Sequence, residues 1–259
     1  MAERKAGKIK KIIIYFLSVV LFFIIWSIVA KKIDAPLILP SVSEVFVKII
    51  ELIKTKSFWE DFLYTFLRVI YAFSISLIAG SFLGIICGCS KSFKYFFDIP
   101  LSFIRGTPVV AIILVTLFWF NSSSVPVFVA VLMGLPIVVS SITEGFSKSE
   151  KDLLFMADIF RFSSWQKFLY IKLPGLKPFF INAAVSVFGL SWKVVVAGEV
   201  LSLPKRGFGS LMEMAQVHLE TAEVIAITLI LVTLSFSIEK LFSGIVKAVA
   251  KKRGKNEYN

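Results

Sequence analysis

An all-helical integral membrane protein with six spanning helices is the fold class this sequence predicts, and three observations predict it. First, 57% of its 259 residues are hydrophobic and 15% aromatic against 18% charged, more apolar surface than one soluble core can hide. Second, six stretches reach the roughly 20 apolar residues needed to cross a hydrocarbon core: 12–30, 65–88, 99–120, 125–146, 179–200 and 222–245. Third, the basic residues fall unevenly on the segments joining those stretches, as the positive-inside rule requires. Helices rather than strands follow, because lipid offers no partner to an open sheet edge.

With the N-terminus inside, the inner segments hold 18 of the 29 Lys and Arg and the outer segments seven, while Arg68, Arg105, Lys193 and Lys240 sit within spans. Both termini are therefore expected to face the cytoplasm. The net charge of +12 is read as membrane topology rather than as affinity for nucleic acid. The expected organisation is a cytoplasmic tail over 1–11, a first span with an outer interfacial helix over 12–60, a five-span core over 61–246, and a basic cytoplasmic tail over 247–259.

Each element has its own signal. Span 12–30 follows a basic run but is too long for a signal peptide and ends in no small-x-small cleavage site, so it is a retained helix. Ser41-Val42-Ser43-Glu44 matches a capping box, and Val45, Phe46, Ile49, Ile50 and Ile53 then recur at helical spacing, with Glu44 and Lys48 as an i,i+4 pair. Pro36 and Pro40 before it and Trp59 after it suggest that this helix lies flat at the outer interface, as an anchor or as a contact for an external partner. Cys87 and Cys89, two residues apart, fall on opposite sides of one helix and read as apolar thiols, not a disulfide. Arg105, early in span 99–120 with Gly106 and Pro108 following, is expected to snorkel to the cytoplasm. Residues 121–124 make a four-residue antiparallel hairpin to the next span, which Pro126 opens and in which Ser140 and Glu144 stand at i,i+4.

Span 179–200 carries the polar signal. Asn182, Ser186, Gly189 and Lys193 stand at offsets 0, 4, 7 and 11, so they share one narrow face at 100° per residue. Polar groups are costly in lipid, and such a face turns either to another helix or to a translocation path. Glu199, near the outer end, is the fifth candidate path residue. It stands six residues from Lys193, so the two do not share a face.

The segment 147–178 interrupts the spans with six basic residues and reads as two short amphipathic helices divided at Ser163-Ser164, either of which can cap the second. Lys151, Asp158 and Arg161 form a polar stripe in the first half, opposite Leu153, Leu154, Ala157 and Phe160. Trp165, Phe168 and Leu169 cluster in the second. The segment either packs under its own bundle or fills a partner's groove. No G-x-x-x-x-G-K-[ST] run is present to cradle a phosphate, and lone His218 with scattered carboxylates forms no metal cluster or nucleophile-base pair. An enzyme is not expected, and no internal repeat or broken-helix pair marks a coupling-ion site.

Ile171-Lys172-Leu173-Pro174, preceded by Trp165-Gln166-Lys167-Phe168 and by Ala157, resembles the cytoplasmic loop of ABC importer permeases of the nitrate, sulfonate and taurine branch. Gly189-Leu190-Ser191-Trp192-Lys193 through Ala197-Gly198-Glu199-Val200, followed by Gly207-Phe208-Gly209, is similar to a second pattern of that branch, and Leu135-Pro136 and Glu144-Gly145 also fit. Phe155, Met156 and Arg161 depart from the Glu, Ala and Gly of the loop pattern, so the turn is expected at 162–164. The resemblance implies a bundle of the type I ABC importer permease kind with cytoplasmic coupling helices, in the inner membrane. It implies that Ala157, Arg161, Trp165, Phe168, Ile171, Leu173 and Pro174 dock two copies of a separate ATPase subunit, which binds the ATP; no cofactor or metal is expected on this chain itself. It further implies a second copy of this chain, lipid, an extracytoplasmic solute-binding protein, and a small solute such as a nitrate-, sulfonate- or taurine-like anion or a thiamine-precursor pyrimidine. The competing classes are a self-sufficient secondary transporter or channel, and a purely structural assembly factor.

Overall fold

The computed structural model describes residues 2–148 and 151–256, and among them every regular element is helical. α1 (Ala2–Ile33) encloses the first predicted span. α3 (Lys56–Cys89), α6 (Val125–Ser147), α10 (Lys177–Ser202) and the stretch Thr221–Ile245 of α12 (Thr221–Asn256) are long and apolar enough to cross a membrane. Helical backbone also runs through 2–11 and 247–256, where tails are expected.

The expected third span is broken. α4 (Lys91–Gly106) and α5 (Val109–Thr116) meet at 96°, so 99–120 is not one straight helix and a broken pair is present after all. Pro108 has no N–H with which to continue α4 and excludes the helical well at the residue before it. Thr107 is accordingly extended, with ψ 131°. Because α5 ends at Thr116, the connection to α6 is 117–124, longer than the expected four residues.

The chain divides into two compact units, Met1–Trp59 with Leu211–Leu231, and Glu60–Ser210 with Val232–Asn259. In the first, α2 (Val42–Lys54) has the predicted capping box: Ser41 N–H donates to Glu44 Oε2 at 2.8 Å and Glu44 N–H donates to Ser41 Oγ at 3.2 Å. Glu44 is thereby committed to the cap, and Lys48 pairs with Glu51 at 3.2 Å instead of with Glu44. Trp59 Nε1 donates to the Ile53 carbonyl at 2.8 Å, closing the far end of α2. Trp26 Nε1 ties α1 to the approach to α2 through the Pro40 carbonyl at 3.1 Å.

In the second unit α6 packs along α10. One buried cluster gathers Val69, Ala72, Ile113, Val129, Phe188 and Trp192, and a second gathers Val138, Ile142, Phe146, Leu176 and Val187. Lipid is as apolar as leucine, so close backbone approach rather than water exclusion holds such helices together. α3 supplies that approach through Gly80, Gly84 and Gly88, one turn apart. A β-carbon at these positions would lie 2.6 Å from Val138 Cβ, 2.7 Å from Ile142 Cβ and 2.5 Å from the Phe146 ring.

Among the described residues, four helices end on a residue with positive φ that is not glycine: Asp34, Arg161, Leu203 and Leu219. At Arg161, which closes α7 (Lys151–Ile159), the Phe162 amide reaches the Ala157 carbonyl at 2.8 Å and the Arg161 amide the Asp158 carbonyl at 3.0 Å. This is the paired bonding of a Schellman end, with arginine where glycine is usual. The turn is thus made at Arg161 itself, not at 162–164.

Candidate functional site

On α10 the predicted stripe is real as geometry. Asn182, Ser186 and Lys193 are exposed and Gly189 is half-buried, while Ala183, Ala184, Val187, Phe188, Trp192 and Val195 on the other faces are buried against the bundle. Trp192 lies under Phe62 and Phe66, with ring centroids 6.3 and 6.0 Å away. At Asn182, Ser186 and Lys193 the stripe is therefore the face of α10 left open by its own bundle.

Glu199 does not belong to it. Its side chain is 0% exposed, at the C-terminal end of α10, and accepts from Arg68 Nη1 at 2.6 Å, Thr65 Oγ1 at 2.9 Å and the Gly209 amide at 3.0 Å. Arg68 Nη1 also donates to the Arg206 carbonyl at 2.7 Å. Asp61 accepts from the Gly207 amide at 3.1 Å, and Thr65 Oγ1 accepts from the Phe208 amide at 2.8 Å. Three residues one turn apart on α3 thus hold the loop into α11 (Phe208–Val217) onto the end of α10. The glycines are a steric requirement. Gly207 has φ +144°, and a β-carbon there would lie 2.7 Å from Glu199 Cδ and 2.8 Å from Arg68 Nη1. Sequence reading missed Asp61, Thr65 and Arg68 as partners. The signal was available: Arg68 is a charge inside a span and needs an opposite one.

The segment 147–178 folds as α7, α8 (Ser164–Lys167), a wide π-type turn over Phe168–Lys172 and one further turn, α9 (Leu173–Gly175). Ser163, not Ser164, is the cap. It accepts from the Gln166 amide at 3.3 Å, and its own amide donates to Gln166 Oε1 at 2.8 Å. An ion pair between Lys167 and Asp158 ties α8 to α7. One side of the segment is anchored: Ala157 is buried, Phe168 stacks on Phe146 of α6 at 6.1 Å, and the Lys172 ammonium lies 5.7 Å from the Phe146 ring. The other side is open. Phe155, Phe160 and Trp165 are 68%, 70% and 68% exposed, and Arg161, Leu173 and Pro174 are exposed beside them. Ile171 is half-buried in the turn. Of the predicted coupling residues, Ala157 and Phe168 thus face the chain's own interior, while Arg161, Trp165, Leu173 and Pro174 face away.

Arg105 Nη1 donates to Ser140 Oγ at 3.2 Å across a cavity of about 380 Å3 that Lys94, Asp98 and Glu144 also line. Glu144 pairs with Lys148 at 2.7 Å. Cys87 is buried beside this cavity and Cys89 is exposed, so only one of the two thiols is packed away as the sequence suggested.

The family described as "binding-protein-dependent transport system inner membrane component" matches residues 80–255, more than half of the chain. The chain belongs to this family. It is similar to the taurine transport system permease protein TauC of Escherichia coli strain K12, 22% identical over 85% of this chain and 82% of TauC. It is also similar to the putative aliphatic sulfonates transport permease protein SsuC of the same organism, 27% identical over 76% of this chain and 74% of SsuC. A bicarbonate transport system permease protein, CmpB of Synechococcus elongatus, is 24% identical over 59% of this chain and 55% of its own length. Among solved structures, a chain of the inward-facing methionine ABC transporter MetNI superposes with a TM-score of 0.58 at 17% identity, covering 75% of this chain and 94% of that one. The fold is therefore that of an ABC importer permease, and the chain is a membrane-embedded permease component of such an importer.

Proposed function

We propose that this permease moves a small solute along the exposed face of α10, driven by a separate ATPase that docks on the segment 147–178. The observation that carries the reading is the asymmetry of that segment. One side is fixed to α6 through Phe168 and Lys172, with Ala157 buried beside them, and the other presents Trp165, Phe160, Leu173 and Pro174 as exposed side chains. A rigid element tied to a spanning helix on one side and open on the other transmits a partner's motion into the bundle. Two copies of the chain would bring their α10 faces to a common path, with both termini in the cytoplasm and an extracytoplasmic binding protein delivering solute. The names of the relatives point to small sulfonates, taurine or inorganic anions, and Lys193 on the path suits an anionic group.

A secondary carrier would use a broken helix as its ion site. The break between α4 and α5 does not favour that reading: one cavity of about 420 Å3 beside it is lined by Phe103, Ile104, Ile112, Trp119 and other residues without charge, and in the charged cavity along α4 Arg105 is bonded to Ser140 and Glu144 to Lys148. Co-expression with an ABC ATPase subunit from the same organism tests the proposal. Wild type retains the ATPase through purification, and Trp165→Glu with Leu173→Glu loses it. Retention by the double variant would sink the docking assignment.

A further inference from the structure

The α10 stripe meets a carboxylate that the sequence reading did not place there. A β-carbon at Gly189 would lie 2.9 Å from Glu239 Oε1 and 3.1 Å from Oε2, so this glycine is the seat of the Glu239 carboxylate. Phe242, one turn further along α12, stacks on Phe188 with centroids 4.5 Å apart and meets Phe73 edge-on at 5.4 Å. That aromatic trio fixes α12 against α10 and holds Glu239 in register with Gly189. Among the described residues Glu239 forms no ion pair, and its sequence neighbour Lys240 lies over the Phe236 ring of its own helix at 4.9 Å. Lys193, one turn beyond Gly189, is exposed and likewise forms no ion pair. Four residues of helix rise make about 6 Å along the axis. An unpaired charge at membrane depth is expensive and marks a ligand contact or a path. Here the exposed ammonium of Lys193 stands on α10 one turn from Gly189, over which the half-buried carboxylate of Glu239 rests.

We propose that Glu239 and Lys193 form a two-point site for a small zwitterion. The solute's ammonium meets Glu239 and its sulfonate or carboxylate meets Lys193. The inference rests on reading the α10 face as the translocation path, and it narrows the solute: a simple anion such as nitrate or bicarbonate satisfies Lys193 but is repelled by Glu239. Gly189 becomes a specificity residue as well, because any side chain there displaces the carboxylate.

The test is uptake into proteoliposomes holding the permease, its ATPase and its binding protein, with taurine and glycine betaine as zwitterions and ethanesulfonate and nitrate as anions. Wild type is expected to take up a zwitterion in preference to both anions. Glu239→Gln should lower zwitterion uptake about tenfold, the scale of one charge-assisted contact, and raise ethanesulfonate uptake by relieving its repulsion. Gly189→Ala should shift the same ratio in the same direction, at normal yield of the assembled complex. Equal loss for both solute classes, or wild-type uptake of nitrate as fast as either zwitterion, overturns the proposal. Uptake of none of the four also overturns it, and retained stimulation of ATP hydrolysis by the binding protein would then show that the importer reading survives.

Discussion

Replacing Arg68 with methionine keeps most of the side-chain volume and removes the guanidinium bonded to Glu199. The Glu199 carboxylate keeps the Thr65 hydroxyl at 2.9 Å and the Gly209 amide at 3.0 Å but loses the guanidinium at 2.6 Å, and the Arg206 carbonyl loses its donor at 2.7 Å. With the carboxylate side chain 0% exposed, water cannot take over. Breaking a buried pair from one side costs about 3–5 kcal/mol, because the remaining charge is left uncompensated. At about 2–4 °C per kcal/mol for a chain of this size, Arg68→Met should lower the melting midpoint by roughly 10 °C. The assay is thermal unfolding of the purified permease in detergent at one fixed heating rate, since unfolding of such chains is commonly irreversible. Glu199→Gln in the same background removes the stranded charge and should restore more than half of the loss. A midpoint within about 3 °C of wild type for Arg68→Met, or no recovery in the double variant, would refute this account of the cluster.

Gly207→Ala meets both a positive φ and three atoms under 3 Å, and should cost about 2 kcal/mol or more by the same assay, of the order of other strained backbone sites. Arg161→Gly relieves a left-handed arginine at the end of α7 and should slow amide exchange there by a factor corresponding to about 1 kcal/mol; faster exchange would contradict the Schellman assignment. A soluble maleimide should label Cys89 well before Cys87, since only the former is exposed, with mass spectrometry of the two sites as the check.

The spans over α3, α6, α10 and α12 were legible because apolar length is a strong signal, and the α2 cap was legible because Ser41 and Glu44 stand at capping-box spacing. The break at Pro108 was in plain view yet outvoted by the apolar run around it. Composition measures whether a segment prefers lipid, not whether its backbone continues. The Lys48 partner went wrong because Glu44 has two uses, and the cap took it. The uncovered face of α10 could be read from a single helix, since its periodicity is local. Glu199 and Glu239 could not. Each is defined by a residue more than 40 positions away in the chain, Arg68 for one and Gly189 for the other, and one sequence does not show which helices touch. The glycine series 80, 84, 88 was readable as a close helix seam but not its partner, α6. At Arg161 the departure from glycine misled, because tertiary anchoring by Ala157 and the Lys167–Asp158 pair tolerates a left-handed arginine.

In the proposed cycle, energy enters from a partner through the open face of 147–178. Solute uptake into proteoliposomes, compared with and without ATP and the ATPase subunit, tests it most directly. Uptake should require both, and Trp165→Glu should abolish it while leaving the permease folded by its melting midpoint. Downhill uptake by the permease alone, at a rate unaffected by Trp165→Glu, would contradict it.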